Sequence, residues 1–498
     1  MTAAPAKLNL GIKASYGAGS VAYGAAFTGL SGAVLQIYLN QVLGIPALVV
    51  GAAIMLSLMA DAVIDPLIGW WSDRTRSRFG RRHPFMFAAA VPAMGFFYLL
   101  WNAPAGLSGQ SLAAFGLAMM IAVRISVSVY EIPCNALTPE LTPDYDERTT
   151  LQSWRWFFGI IGNTAASLLL TQVFLGGAHA KAGVLYRQGF ASWGAVIAVV
   201  LFVFIMVATF GTRSRIPYLP KAAVDRPGRA DAWRDIRLTF VNASLGSLML
   251  SGILGGVGGG ITQGLSIYFY SYLWDLAPSQ FGLLLPLSAL GSLLAVFLAP
   301  PLARRFGKKA AMIGLFSVSV VTAAGPLFLR LIGVMPPNGS PWVLPILAAD
   351  GVVTATVAIV GYILVGSMMA DVVEDAAAKS GVRAEGLLYA ANGLVPKFTA
   401  GIGAFIGGLL LTVVHFPQHA VQGAVDPAMM RHLVIIYLPL SVAISVLAIA
   451  ALGLYRINRN VHERNLATLA DAAAAADQAH VVEGIAVGDA PAAVVRPY

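Results

Sequence analysis

The sequence predicts an all-α membrane protein of twelve transmembrane helices in two six-helix bundles. Three observations carry this. Hydrophobic residues make up 58% of the 498 and charged residues only 11%, against roughly 45–50% and about 25% in soluble domains. Mean hydropathy is +0.75. Twelve apolar stretches follow one another, each long enough for a hydrocarbon core that takes about 20 residues to cross. Basic residues gather in alternate loops, as they do on the cytoplasmic side of a polytopic protein.

Six stretches lie near 16–41, 46–72, 84–103, 110–138, 152–176 and 190–211. The second begins at Pro46, carries Asp61 and Asp65 near its end, and runs into a turn with Arg74, Arg76, Arg78, Arg81 and Arg82. A polar segment, 211–240, follows; its alternating charges and Trp233 predict a short amphipathic surface helix. Six more stretches lie near 241–273, 280–303, 309–333, 343–371, 385–415 and 431–456. Arg78-Phe-Gly-Arg-Arg82 after the second span and Arg304-Arg-Phe-Gly-Lys-Lys309 after the eighth repeat one basic turn at matching places, as parallel transporter repeats do. The expected organisation is therefore an N-terminal bundle (1–210), an inter-bundle segment (211–240), a C-terminal bundle (241–460) and an Ala-rich tail (461–498) without the apolar bulk for a core.

Arg74–Arg82, Arg213–Arg237, Arg304–Lys309, Lys379, Arg383 and Arg456–Arg464 fall on one side, so both termini are expected in the cytoplasm. The net charge of +9 reads as membrane anchoring, because the basic residues sit in short inter-helix loops, and no nucleic-acid partner is expected. The first apolar stretch is too long for a cleavable signal. One cysteine, Cys134, excludes an intrachain disulfide. The seven histidines are scattered, no phosphate-binding Gly-x4-Gly-Lys-Ser/Thr loop occurs, and no nucleophile–base pattern is present. Neither an enzyme nor a cofactor is expected.

Charges at membrane depth cost roughly 2.5–3.5 kcal/mol each even on the lenient insertion scale, so they mark ion and substrate routes. Ser57, Asp61 and Asp65 are spaced four apart and share one face of the second span; Arg124, Ser128 and Glu131 share a face of the fourth. Arg155, Asp350 and Lys397 (after Pro396) sit in the fifth, tenth and eleventh. Asp61, Asp65, Ser128 and Glu131 offer oxygen ligands for a small cation; equally, clustered carboxylates hold a proton. A set of purely structural ion pairs is the bland alternative. Asp73, among arginines at a helix end, suits turn structure and gating. The run Gly255-Gly-Val-Gly-Gly-Gly260 in the seventh span permits a gating bend or close packing.

Four blocks in order resemble the glycoside–pentoside–hexuronide:cation symporters, the melibiose-permease-like branch of the major facilitator superfamily. They are the second span with its basic turn, Tyr130-Glu131-Ile132-Pro133, Asp146-Glu147-Arg148, and Ala370-Asp371-Val-Val-Glu374-Asp375…Lys379-Ser-Gly-Val-Arg383-Ala-Glu385-Gly386. The resemblance covers all but the tail and implies cation-coupled symport by two rocking bundles. It places Asp61 and Asp65 at the cation-site carboxylates, Ser128 at a threonine ligand, and Glu131 at an aspartate near both cation and sugar. Arg155 falls at an arginine that contacts sugar hydroxyls, and Lys397 at a lysine near the cation site. Asp371 and Arg383 fall at partners in a cytoplasmic gate, which Asp73, Arg74 and Arg81 would complete.

The departures also have meaning. The family's sugar-binding aspartate falls at Gly24, with Tyr23 for the preceding lysine; a tryptophan becomes Asn135; an asparagine beside the second carboxylate becomes Ile64. The first two changes leave the sugar open and the third tilts the ion toward H+ over Na+. Tyr23, Glu131, Asn135, Arg155 and Lys397 are the expected substrate contacts. The expected partners are a small molecule, a glycoside first, and the lipid bilayer; the protein is expected to work as a monomer in a bacterial cytoplasmic membrane. An amphipathic lipid- or steroid-like substrate is the alternative within transport, and a non-transporting receptor or scaffold the alternative outside it.

Overall fold

The computed structural model describes residues 8–142, 144–176, 183–219, 243–380, 385–457, 461 and 464. Helices dominate, and no strand occurs among the described residues. The first half holds α1 (Leu10–Gly29), α2 (Ala47–Arg74), α3 (His83–Trp101), α4 (Gly109–Leu141), α5 (Tyr145–Leu168) and α6 (Arg187–Gly211). The second holds α7 (Ala243–Tyr268), α8 (Leu284–Phe306), α9 (Lys308–Leu331), α10 (Val343–Ser380), α11 (Glu385–Val413) and α12 (Pro427–Gly453). Eleven spans are long and apolar enough to cross a membrane; the first makes twelve when its two pieces, bent by 43°, count as one.

Local sequence explains the breaks. Asn9 opens α1 by accepting from the Ile12 amide at 2.8 Å. Ser31 caps the second piece, Gly32–Val42, by accepting from Val34 N. That piece ends in a π turn, Ile37–Val42; α5 and α7 end in π turns too, Leu169–Phe174 and Phe269–Leu273. Helix α5 starts earlier than its apolar stretch because a polar first turn extends it, and α1 starts earlier, at Leu10, behind its Asn9 cap. Asp144 caps α5 by accepting from Glu147 N at 2.9 Å, and Asp146 and Glu147 suit the positive end of the helix.

Helix α1 packs on α5 and α6 and α3 on α4 and α6 within the first half; α8 lies on α10 and α9 on α12 within the second. The widest contact between halves runs along α2 and α11. Small residues allow it: a Cβ on Gly51 would come 2.8 Å from the Ala404 carbonyl oxygen. The glycine run in α7 divides by role. A Cβ on Gly260 would come 2.7 Å from Ala400 O of α11, whereas Gly259 faces open space.

At the end carrying residues 43–46 and 414–426, hydrogen bonds join the halves. Tyr268 Oη donates to Asn40 Oδ1 at 2.7 Å and to Gln36 O at 3.3 Å. Gln41 Nε2 donates to Pro417 O at 2.9 Å, and Gln41 Oε1 accepts from Ala420 N at 2.8 Å. Gln172 Nε2 donates to Ser279 O at 2.8 Å. All three π turns therefore sit at this junction, where a widened turn re-aims side chains. At the opposite end, which carries the basic turn 75–82, every ion pair between described residues stays within one half.

Candidate functional site

The four-residue spacing on α2 places Ser57, Asp61 and Asp65 toward α4 and α11. Lys397, one residue past Pro396 in α11, reaches across the halves and donates to Asp61 Oδ2 at 2.8 Å and to Asp65 Oδ2. Ser128 of α4 donates to Asp61 Oδ1 at 2.9 Å. Arg124, a turn earlier, holds its Nη1 4.0 Å from Asp61 Oδ2. Its own position is fixed by donation to Ser57 Oγ (3.1 Å) and Leu30 O (3.0 Å). Two carboxylates and two cations thus form a compact group in which opposite charges offset the cost of burial.

The two aspartates differ in environment. Asp61 is buried, with three polar groups around one carboxylate. Asp65 has only Lys397, its side chain is 26% exposed, and its Oδ1 has no hydrogen-bond partner. That unpartnered oxygen is itself buried, so Asp65 carries an unsatisfied acceptor inside the group.

A second group lies one turn along α4. Arg155 of α5 donates to Glu131 Oε1 at 2.5 Å and to Cys134 Sγ at 2.9 Å, and its guanidinium lies 5.2 Å from the Tyr16 ring centroid. Tyr16 is itself fixed through Cys134 O (2.7 Å) and Thr138 Oγ1 (2.6 Å). Asn135 Nδ2 donates to the same Glu131 oxygen at 2.9 Å, while Glu131 Oε2 has no partner. Tyr23 of α1 is 43% exposed, and Glu131, Asp61 and Asp65 all act on its phenol electrostatically.

The residues named from the sequence therefore divide. Asp61, Asp65, Ser128 and Lys397 come together; Glu131, Asn135 and Arg155 form a neighbouring group. Glu131 does not join Asp61 and Asp65, because Arg155 and Asn135 hold it. Among the described residues no three acidic, His or Cys side chains converge as a metal cage. Lys397, expected among the substrate contacts, lies between the two carboxylates. Gly24 has a packing reason: a Cβ there would collide with the Gly159 carbonyl of α5, so no side chain fits at this position.

Among the described gate residues, Asp73 and Arg81 pair within the first half, and Asp371 pairs with Lys308 of the second. Asp73 accepts from Arg82 at 2.5 Å, and Arg81 and Arg82 both reach Glu140, at 2.8 and 2.9 Å. Arg74 stacks on Trp70, 4.3 Å from the ring centroid. Asp371 takes Lys308 at 2.7 Å. Arg383, segment 220–242 with Trp233, and nearly all of the tail lie outside the described residues. Sequence reasoning missed Glu140 and Lys308. Glu140, just past the fourth apolar stretch and level with the basic turn, carried a usable signal.

The family described as MFS/sugar transport protein matches residues 15–459. An uncharacterized symporter of Synechocystis sp., sll1374, is 36% identical over 39% of this chain and 35% of its own length. The isoprimeverose transporter of Lactiplantibacillus pentosus is 28% identical over 78% of each chain. A solved bacterial homologue of the iron transporter ferroportin, 15% identical, superposes with a TM-score of 0.63 over 90% of this chain and all of that one. That likeness concerns the fold alone.

Proposed function

The chain belongs to the MFS/sugar transport protein family, and from that premise we propose that it is a cation-coupled symporter of a sugar, glycoside or hexuronide working by alternating access. The observation that carries this reading is Lys397 of one half held between Asp61 and Asp65 of the other. A cation arriving at Asp65 competes with the lysine, so it binds the two arrangements of the halves with different affinity, as any ligand that shifts a conformational equilibrium must.

The proton is the coupling ion in this reading. Protonation of Asp65 removes its ion pair with Lys397, which keeps Asp61. Ile64 adds no oxygen ligand, and Glu131 sits with Arg155 apart from Asp61 and Asp65, so few hard oxygens converge for Na+. Arg155, Glu131, Asn135 and Tyr23 then receive substrate hydroxyls; Glu131 Oε2, without a partner, is the free acceptor. The relative named for isoprimeverose transport supports a glycoside.

With both termini on the cytoplasmic side of a bacterial cytoplasmic membrane, the hydrogen-bonded end faces outward and the basic turn 75–82 faces inward. Asp73, Arg74, Arg81, Asp371 and Arg383 re-pair across the halves to close the inner side. The chain works as a monomer. Proteoliposomes holding the full chain test this, with a panel of sugars, glycosides and hexuronides under an imposed pH or Na+ gradient. Uphill uptake of one compound driven by the pH gradient is expected. Uptake driven only by Na+ overturns the proton assignment, and no gradient-driven flux of any compound overturns the symporter reading.

A further inference from the structure

Helix α10 carries a carboxyl that neither group above uses. Asp350 lies seven residues inside the span that starts at Val343, about 10 Å along the helix at ~1.5 Å per residue. It belongs to the second half, whereas Asp61, Asp65 and Glu131 belong to the first. Among the described residues Asp350 is partly buried, with no hydrogen bond and no Lys, Arg or His at ion-pair distance from α7, α8, α9 or α11.

Two polar groups face the same region. Thr354 stands one helical turn along the same face of α10, and its buried Oγ1 has no partner. The Tyr270 phenol, from the π turn that ends α7, lies close enough for Asp350 to act on it electrostatically. Beyond Tyr270, the Tyr437 hydroxyl is already bonded to Thr262 at 2.8 Å. Among the described residues a phenol thus neighbours the carboxyl, and no cation pairs with it. An unpaired carboxylate at membrane depth is costly; an acid that keeps its proton avoids that cost.

We propose that Asp350 is a second proton-binding site, in the half opposite Asp65, with Thr354 and Tyr270 as its hydrogen-bonding partners. The exchange is Asp350–COOH to Asp350–COO− plus H+, the proton passing to water when that face opens. Residues four apart on a helix have Cβ atoms about 5–6 Å from one another, so one side-chain rotation brings the acid proton to Thr354 Oγ1. The site stands independently of coupling at Asp65 and of the substrate.

Infrared difference spectroscopy between acid and alkaline pH tests this on the full chain in liposomes, with aspartate carboxyls 13C-labelled. A protonated-aspartate C=O band is expected at neutral pH. It should survive Asp65→Asn, disappear in Asp350→Asn, and shift in frequency in Thr354→Val and Tyr270→Phe. The last two variants keep the question decidable if Asp350→Asn fails to fold. A band lost in Asp65→Asn, or a spectrum unchanged by Asp350→Asn, or by both Thr354→Val and Tyr270→Phe, overturns the proposal.

Discussion

Lys397 and Asp61, 336 positions apart, are joined at 2.8 Å across the two halves of the molecule. With Asp65 on the other side of the same ammonium, removing the lysine leaves two carboxylates facing each other without their nearest cation. Truncating one partner of a buried ion pair costs about 3–5 kcal/mol. Lys397→Ala should therefore lower the thermal unfolding temperature in detergent at neutral pH, and less so in acid, where the carboxylates protonate. Adding Asp65→Asn should recover much of the loss, since the two sites are coupled. Additive losses in the double variant would show that the pair does not interact as described.

The difference in exposure between the aspartates sets the second expectation. Asp65 has the more exposed side chain and a buried oxygen without a partner, so Asp65→Asn should abolish uphill accumulation while substrate exchange at equal concentrations persists. Counterflow and gradient-driven uptake, measured on the same proteoliposomes, separate the two. Undiminished accumulation would exclude coupling through this carboxylate.

Arg155 serves Glu131, Cys134 and the Tyr16 ring together. Arg155→Ala leaves Glu131 with Asn135 as its one partner and should weaken substrate binding at least tenfold. Arg155→Lys keeps the charge but loses the planar fork, so it should rescue only part of the affinity. Binding calorimetry with the transported compound decides; full rescue by lysine would mean that charge alone matters.

Gly24 illustrates a position where space overrides chemistry. A Cβ would strike the Gly159 carbonyl, so Gly24→Ala should destabilise the α1–α5 contact by about 1–3 kcal/mol, the usual range for overpacking. Gly259→Ala meets nothing within 4 Å and should be neutral or slightly stabilising. Equal unfolding temperatures for the two variants would contradict this packing.

Much of this was legible in the sequence for a physical reason: the bilayer imposes length and charge rules that a chain must display openly. The spans, the α2 carboxylate face and the reach of Lys397 to it follow from those rules and from the family resemblance. Glu131 was expected beside Asp61 and Asp65 because Ser128 and Glu131 share a face of α4. Its turn toward Arg155 depends on how α5 is placed, which spacing along one helix does not encode. The pairing of Lys308 with Asp371 and the π turns at 37–42, 169–174 and 269–273 likewise depend on tertiary packing. The apolar stretches could only show that helices reach that end, not how they finish there.

Those finishes produce the last expectation. Tyr268 Oη holds Asn40 Oδ1 and Gln36 O across the halves, so Tyr268→Phe removes both bonds while keeping the ring packed on Phe416. One O–H proton serves both acceptors, so at about 1 kcal/mol for the bond the population open at this end should rise roughly fivefold. Gln263 of α7 faces Gly32 of the opposite half and reports on that opening when replaced by cysteine. Cys134 is buried, so the native background should stay silent to an impermeant maleimide. Faster labelling of Gln263→Cys in the Tyr268→Phe background is the expected outcome, from the side that carries residues 414–426. Adding Gln41→Ala, which drops the bonds to Pro417 and Ala420, should raise it again. If neither change alters the labelling rate, these hydrogen bonds do not hold the halves together, and the α2–α11 contact alone must close this end.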